Sequence, residues 1–179
     1  SGAMNALGVI QDAIDLATEA GDEISLAAGT YTTRQTAYPS DLSYQVANGT
    51  SGLTLRGDPA GGTVLTIGDL PVRVFHAKNA TVSFFDITFR GGRIDADIIY
   101  GHGVYGENST LAFTRCIFEE NGFPNAGSRH YGAAFAANGG SATFTDCTFR
   151  DNAIRRNDQL TYRRGGAIWT QDAALTAAG

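Results

Sequence analysis

The chain has 179 residues, 42% of them hydrophobic, with 23 glycines and only four prolines, which describes one ordered, turn-rich domain able to bury a core. Its formal charge is −5, with twelve arginines and a single lysine, Lys78, and that balance argues against a general nucleic-acid binder. No apolar run approaches the ~18–20 residues that a membrane-crossing helix requires.

In chain order, Ser1-Gly2-Ala3-Met4 reads as a cloning remnant (residues 1–4) and carries no information on compartment. A capping helix is expected within residues 5–21. There "IQDAIDLATEAG" sets Ile10, Ala13, Ile14 and Ala17 on one face, and Gly21 is placed to stop it. Residues 22–179 read as strands. "DEISLAAGTY" alternates Ile24 and Leu26, and "GLTLRGDPAGGTVLTI" supplies Leu53/Leu55 and Val64/Leu65/Ile67 around a Gly-Gly turn.

From Phe75 onward the chain repeats itself. Val82–Phe89 ("VSFFDITF") aligns with Leu111–Phe118 ("LAFTRCIF") and Ala142–Phe149 ("ATFTDCTF"). Seven residues before each lies an apolar residue (Phe75, Val104, Phe135), and "GGAI" continues that column to Ile168, at intervals of 29, 31 and 33 residues. Each copy reads apolar-x-apolar, a two-residue offset, then apolar-x-apolar: a half-buried strand, a corner, and a second short strand. Such a period indicates stacked repeats, with no propeller, leucine-rich or calcium-repeat signature. The expected fold is all-β: a right-handed parallel β-helix with an N-terminal amphipathic helix as its lid. Phe84/Phe113/Phe144, Phe89/Phe118/Phe149 and Ile87/Cys116/Cys147 should form three buried columns. At the other end Leu175 aligns with Leu111, and the repeat stops at Gly179 without a lid. A truncated solenoid, end-to-end self-association through the uncapped coil, or a divergent last coil would each account for this.

The residues "CIFEEN" and "CTFRDN", with the steps "YGAAF" and "RGGAIW", resemble the FxxN and GGAI motifs of bacterial polymorphic membrane proteins. The opening helix followed by "AAGTY" is similar to the first coil of pectin-lyase-like β-helices. The repeat resemblance spans roughly residues 72–179, and its first copy departs, with Gly92 where asparagine would stand. It implies a secreted or cell-surface location and an adhesive role, with no shared catalytic residues.

Asn121 and Asn152 fall at the same bend of successive coils, where stacked asparagines can bond turn backbone and one another. They are expected to be a structural ladder. Cys116 and Cys147 face inward one above the other; a bridge and two free core thiols both remain open. Two cysteines without nearby histidines argue against zinc.

Between bend and glycine step lie three unequal segments, "RIDADIIYGHG", "GFPNAGSRHYG" and "AIRRNDQLTYRRGG", with formal charges of −1, +1 and +3. Insertions at one point of a solenoid emerge on one face, often the binding face. Arg129, Arg155, Arg156, Arg163 and Arg164, interleaved with Tyr131 and Tyr162, form the candidate contact set. Guanidinium forks suit carboxylates, and aromatic faces suit sugar rings. An acidic polysaccharide or a cell-surface protein is the expected partner. Arginines that merely solubilise the loops, pairing with Asp151 or Asp158, would give the same composition. A polysaccharide lyase or epimerase is the alternative, with Arg129, His130 and Tyr131 offering the charge neutraliser and the base and acid types between them. A rigid stalk is the third reading. No cofactor is required; Asp95 and Asp97 offer at most a weak calcium site. His102, between two glycines, reads as a turn residue.

Overall fold

The computed structural model describes residues 9–17, 19–33, 44–46, 51–68, 70–94, 98–122, 129–154, 162–164 and 166–179. The chain is mostly strand, wound as a parallel β-solenoid of about four turns, with one short helix. In chain order the elements are α1 (Val9–Leu16), β1 (Glu23–Ser25), β2 (Gly29–Thr32), β3 (Tyr44–Val46), β4 (Ser51–Arg56), β5 (Thr63–Thr66), β6 (Phe75–Lys78), β7 (Thr81–Phe85) and β8 (Thr88–Arg90). They continue with β9 (Ile98–Tyr100), β10 (Val104–Thr114), β11 (Ile117–Glu119), β12 (Arg129–Tyr131), β13 (Phe135–Thr145), β14 (Thr148–Arg150), β15 (Tyr162–Arg164) and β16 (Ile168–Ala178). Every strand pairing among the described residues is parallel. One sheet runs β1-β4-β7-β10-β13-β16 with β3 and β6 joined to it, a second runs β2-β5-β8-β11-β14, and a third β9-β12-β15.

Register follows the repeat. Val104 pairs with Phe75 and Phe135, and Phe135 with Ile168, which is the 29-, 31- and 33-residue spacing realised as hydrogen-bonded neighbours. Leu55, Phe84, Phe113 and Phe144 form one inward row, and Leu65, Phe89, Phe118 and Phe149 another. The rings lie face to face along each row: Phe84–Phe113 at 4.9 Å, Phe113–Phe144 at 5.0 Å and Phe118–Phe149 at 4.7 Å between centroids. Across rows they meet edge to face, Phe89–Phe113 at 5.9 Å and Phe118–Phe144 at 5.8 Å, so both favoured aromatic geometries are used at once.

The two-residue offset is a left-handed corner. Asp86, Arg115 and Asp146 stand in it with φ of 57°, 52° and 52°. Two more such columns turn each coil, Asn79/Asn108/Asp172 and Glu120/Asp151, filled mainly by Asn and Asp, the side chains that tolerate this geometry best. The corners carry ion pairs between coils. Arg115 grips Asp86 through two bonds of 2.7 and 2.8 Å, and the buried Glu119 is held from below by Arg90 and from above by Arg150. Those two guanidinium groups keep the Glu119 carboxyl below its usual range against the opposing effect of burial.

The lid is α1. Ile10, Ile14 and Ala17 are buried against the first coil, while Leu16 is exposed. The helix ends at Leu16, before Gly21, whose positive φ serves the turn into β1. Gln11 makes the closure polar as well as apolar. Its amide donates to the Gln45 carbonyl (2.9 Å) and accepts from the Gln45 N–H (2.8 Å), occupying both backbone groups on that residue of β3.

Candidate functional site

The segments read from sequence as loops contain strand. Ile98–Tyr100, Arg129–Tyr131 and Tyr162–Arg164 each supply three residues to the third sheet, one directly above the next. Only Tyr100 and Tyr131 are like neighbours in this ladder, and the unlike residues of the other rows conceal it. Alternation along these strands sorts the candidates. In β12, His130 is fully buried whereas Tyr131 is partly exposed. Adjacent residues of a strand face opposite ways, so His130 and Tyr131 do not converge on one substrate atom and the Arg129-His130-Tyr131 triple is not assembled as a catalytic group.

His130 is instead paired with His102. The rings stack at 5.1 Å and 10°, and His102 Nε2 lies 3.0 Å from His130 Nδ1. His102 Nδ1 accepts the Ile94 N–H at 3.1 Å, so the His102 proton sits on Nε2 and is donated to His130 Nδ1. Burial, reinforced by His130 and Arg73, pulls His102 down to about 3. It is therefore a neutral interior group, placed at a bend whose side chain is buried. Gly101 and Gly103 flank it because the backbones there are packed closely. A Cβ on Gly103 would stand 2.4 Å from the Ala134 carbonyl oxygen.

The chemistry on the outer side is aromatic. Tyr100 and Tyr131 are in register in the third sheet, with Arg164 next in line; Tyr105, Ala136 and Trp169 are in register one glycine step later. The rings merge into one cluster: Tyr100–Tyr131 at 5.0 Å, Tyr100–Tyr105 at 5.7 Å, and Trp169 at 5.0 Å from both Tyr100 and Tyr131. Ala136 makes this feasible. Lacking a ring, it lets the indole lean across its coil toward Tyr100, two coils away. His76 stacks on Tyr105 at 5.2 Å, and the Arg73 guanidinium lies 4.9 Å over the same ring. Burial and the nearby Glu107 raise the Tyr105 hydroxyl above its ordinary range. Glu107 itself bridges Lys78 at 2.9 Å and His76 at 3.7 Å. Tyr100, Tyr131 and Trp169 remain partly exposed at the foot of the loop column.

The other candidates divide as follows. Arg129, Tyr162, Arg163 and Arg164 have their backbones in β12 and β15, stacked coil on coil. Arg155, Arg156, Asp95 and Asp97 lie outside the described residues. Among the described residues no three His, Cys, Asp or Glu side chains gather to hold a metal ion. Asn121 is buried. Its Oδ1 accepts the Gly92 N–H (2.9 Å), and its Nδ2 donates to Phe89 O (2.9 Å) and to Asn152 Oδ1 (3.0 Å). Asn152 repeats the bond one coil on, to Phe118 O at 2.7 Å. These amides hold the bend. Cys116 and Cys147 are free thiols.

Sequence reasoning missed Tyr100, Tyr105 and Trp169. The signal was present as pairs five residues apart across the glycine step, Tyr100/Tyr105 and Arg164/Trp169, but no single column repeats the same residue. No helix among the described residues is long and apolar enough to cross a membrane. No family model, curated protein or solved structure matches this chain.

Proposed function

We propose that this chain is a non-enzymatic segment of a secreted or surface-displayed bacterial β-helix protein, akin to the polymorphic membrane proteins its motifs resemble. Its loop side contacts glycan, and the ligand class is acidic polysaccharide. One observation carries this reading: a partly exposed aromatic cluster of Tyr100, Tyr131 and Trp169 stands beside β12 and β15, with Arg164 in register with Tyr131. Aromatic surface supplies contact area at low entropic cost, and guanidinium groups pair with uronate carboxylates. The coils below are held by their own side chains, so the loop side is free to vary without loss of the scaffold.

Trp169 is the only tryptophan, so its emission reports on this cluster alone. Titration with polygalacturonate and alginate should shift that emission saturably and retard the protein in an affinity gel. Tyr131→Ala and Arg164→Ala should each weaken both signals about tenfold or more, equivalent to ~1.4 kcal/mol. Ultraviolet absorbance from unsaturated uronates in the same mixtures would replace this reading with a lyase. Silence of emission and gel toward every acidic glycan would overturn it.

A further inference from the structure

Cys116 and Cys147 occupy the same corner of consecutive coils. Thr114 is paired with Thr145 and Ile117 with Thr148, which sets the two cysteines one above the other across a single strand spacing of about 4.8 Å. That spacing is within the Cα range of a disulfide. Both residues lie between strands, not within them, so closing the bond requires the corner to tilt the two Cβ atoms toward each other by about 1 Å.

Their surroundings differ. Cys116 is fully buried, its thiol directed at Phe84 O (3.6 Å) and Thr114 O (3.5 Å). Cys147 is only partly buried, directed at Phe113 O (3.5 Å) and Thr145 O (3.4 Å). Burial holds the Cys116 thiol well above the ordinary range, while its neighbour Cys116 draws the Cys147 thiol downward. The pair therefore has a partly accessible member and a shielded one, the division found where one sulfur attacks and its neighbour resolves.

We propose that Cys116 and Cys147 form a dithiol modification site, converted by a low-molecular-weight disulfide of the glutathione type into a bond that joins their two coils. The Cys147 thiolate attacks one sulfur of the reagent, forming a mixed disulfide and expelling one thiolate. Cys116 then gives up its proton and attacks the Cys147 sulfur, forming the intrachain bond and releasing the second reagent thiol. Two protein thiols are oxidised and one reagent disulfide is reduced to two thiols, with no other reactant. Only Cys147 has to be reached from outside, which agrees with the complete burial of Cys116.

The test is incubation of the native, fully reduced protein with glutathione disulfide, followed by intact mass, thiol titration and peptide mapping over time. The expected course is loss of both thiols and a product two hydrogens lighter, its cross-link mapping to Cys116–Cys147. A mixed disulfide should appear transiently on Cys147 alone. Cys116→Ser should stop at that mixed disulfide, and Cys147→Ser should stay unmodified until denatured. Thermal unfolding of the cross-linked protein should shift upward by several degrees relative to the reduced form. A persistent glutathione adduct on wild-type Cys147, a dimer linked through Cys147, or oxidation only in denaturant would each overturn the proposal. The time course on the wild type decides the matter even if a serine variant fails to fold.

Discussion

His102 makes the stability of this fold depend on pH well above the range in which carboxylates act. In the native chain its Nδ1 lone pair receives the Ile94 N–H at 3.1 Å and its Nε2 proton goes to His130, so a second proton has no site without breaking the first bond. Burial holds it at about 3, against an ordinary value of 6.5. The unfolded chain therefore binds a proton below pH 6.5 that the native chain refuses, and stability must fall as pH drops from there toward 3. Each pH unit costs about 1.4 kcal/mol once the unfolded histidine is fully protonated, so between pH 6.5, where it is half protonated, and 4.5 the loss is about 2.3 kcal/mol. Carboxylates enter only at the bottom of that window, because the stabilised Glu119 has an ordinary value of 4.5. The assay is urea unfolding at pH 7.5, 6.5, 5.5 and 4.5 for the wild type and for His102→Asn, whose side-chain oxygen keeps an acceptor for Ile94. The variant should begin less stable and lose much less across the same interval. Parallel pH profiles for the two proteins would refute the reasoning, since removing a titrating group must change the slope.

Other substitutions probe the stack, the lid and the step. Phe113 touches Phe84, Phe89, Phe118, Phe135 and Phe144, so Phe113→Ala should cost about 3–5 kcal/mol in chemical denaturation. Phe149, half-buried with Phe118 and Phe144 beside it, should cost clearly less when changed to alanine, and equal losses would contradict a stacked core. Gln11→Ala strands both backbone groups of Gln45 and should cost about 1–3 kcal/mol, with faster amide exchange along β3. At Gly132, φ is +65° and a Cβ would meet the Phe135 carbonyl oxygen at 2.0 Å; Gly132→Ala should lower the midpoint by more than the ~1–2 kcal/mol of left-handed strain alone.

The coils were legible because their columns repeat a residue type. Phenylalanine recurs at 84, 113 and 144 and again at 89, 118 and 149, and a period near 30 with strand alternation inside it leaves little besides a solenoid. The site was less legible for a physical reason. A column in the core must be refilled by a similar shape at each coil, whereas an outer row may hold Tyr105, Ala136 and Trp169 in succession and still function as one cluster. His102 shows the opposite error. Two flanking glycines suggested a turn and gave no sign of burial, yet they are there because neighbouring backbones leave no space for a Cβ, and that crowding is what buries the imidazole.

The corner charges also bear on how the chain finds its own order. Asp86 and Arg90 in one coil meet Arg115 and Glu119 in the next, which meet Asp146 and Arg150 in the one after. The signs invert at each coil, so coils one apart are complementary and coils two apart are alike. A stack that skipped a coil would bring Asp86 against Asp146 and Arg90 against Arg150 while keeping every phenylalanine in place. The aromatic core cannot tell these arrangements apart, and skipped or exchanged units are the characteristic error of repetitive chains. The charges act as a parity check on assembly, rejecting the even-numbered slip that the hydrophobic pattern would accept.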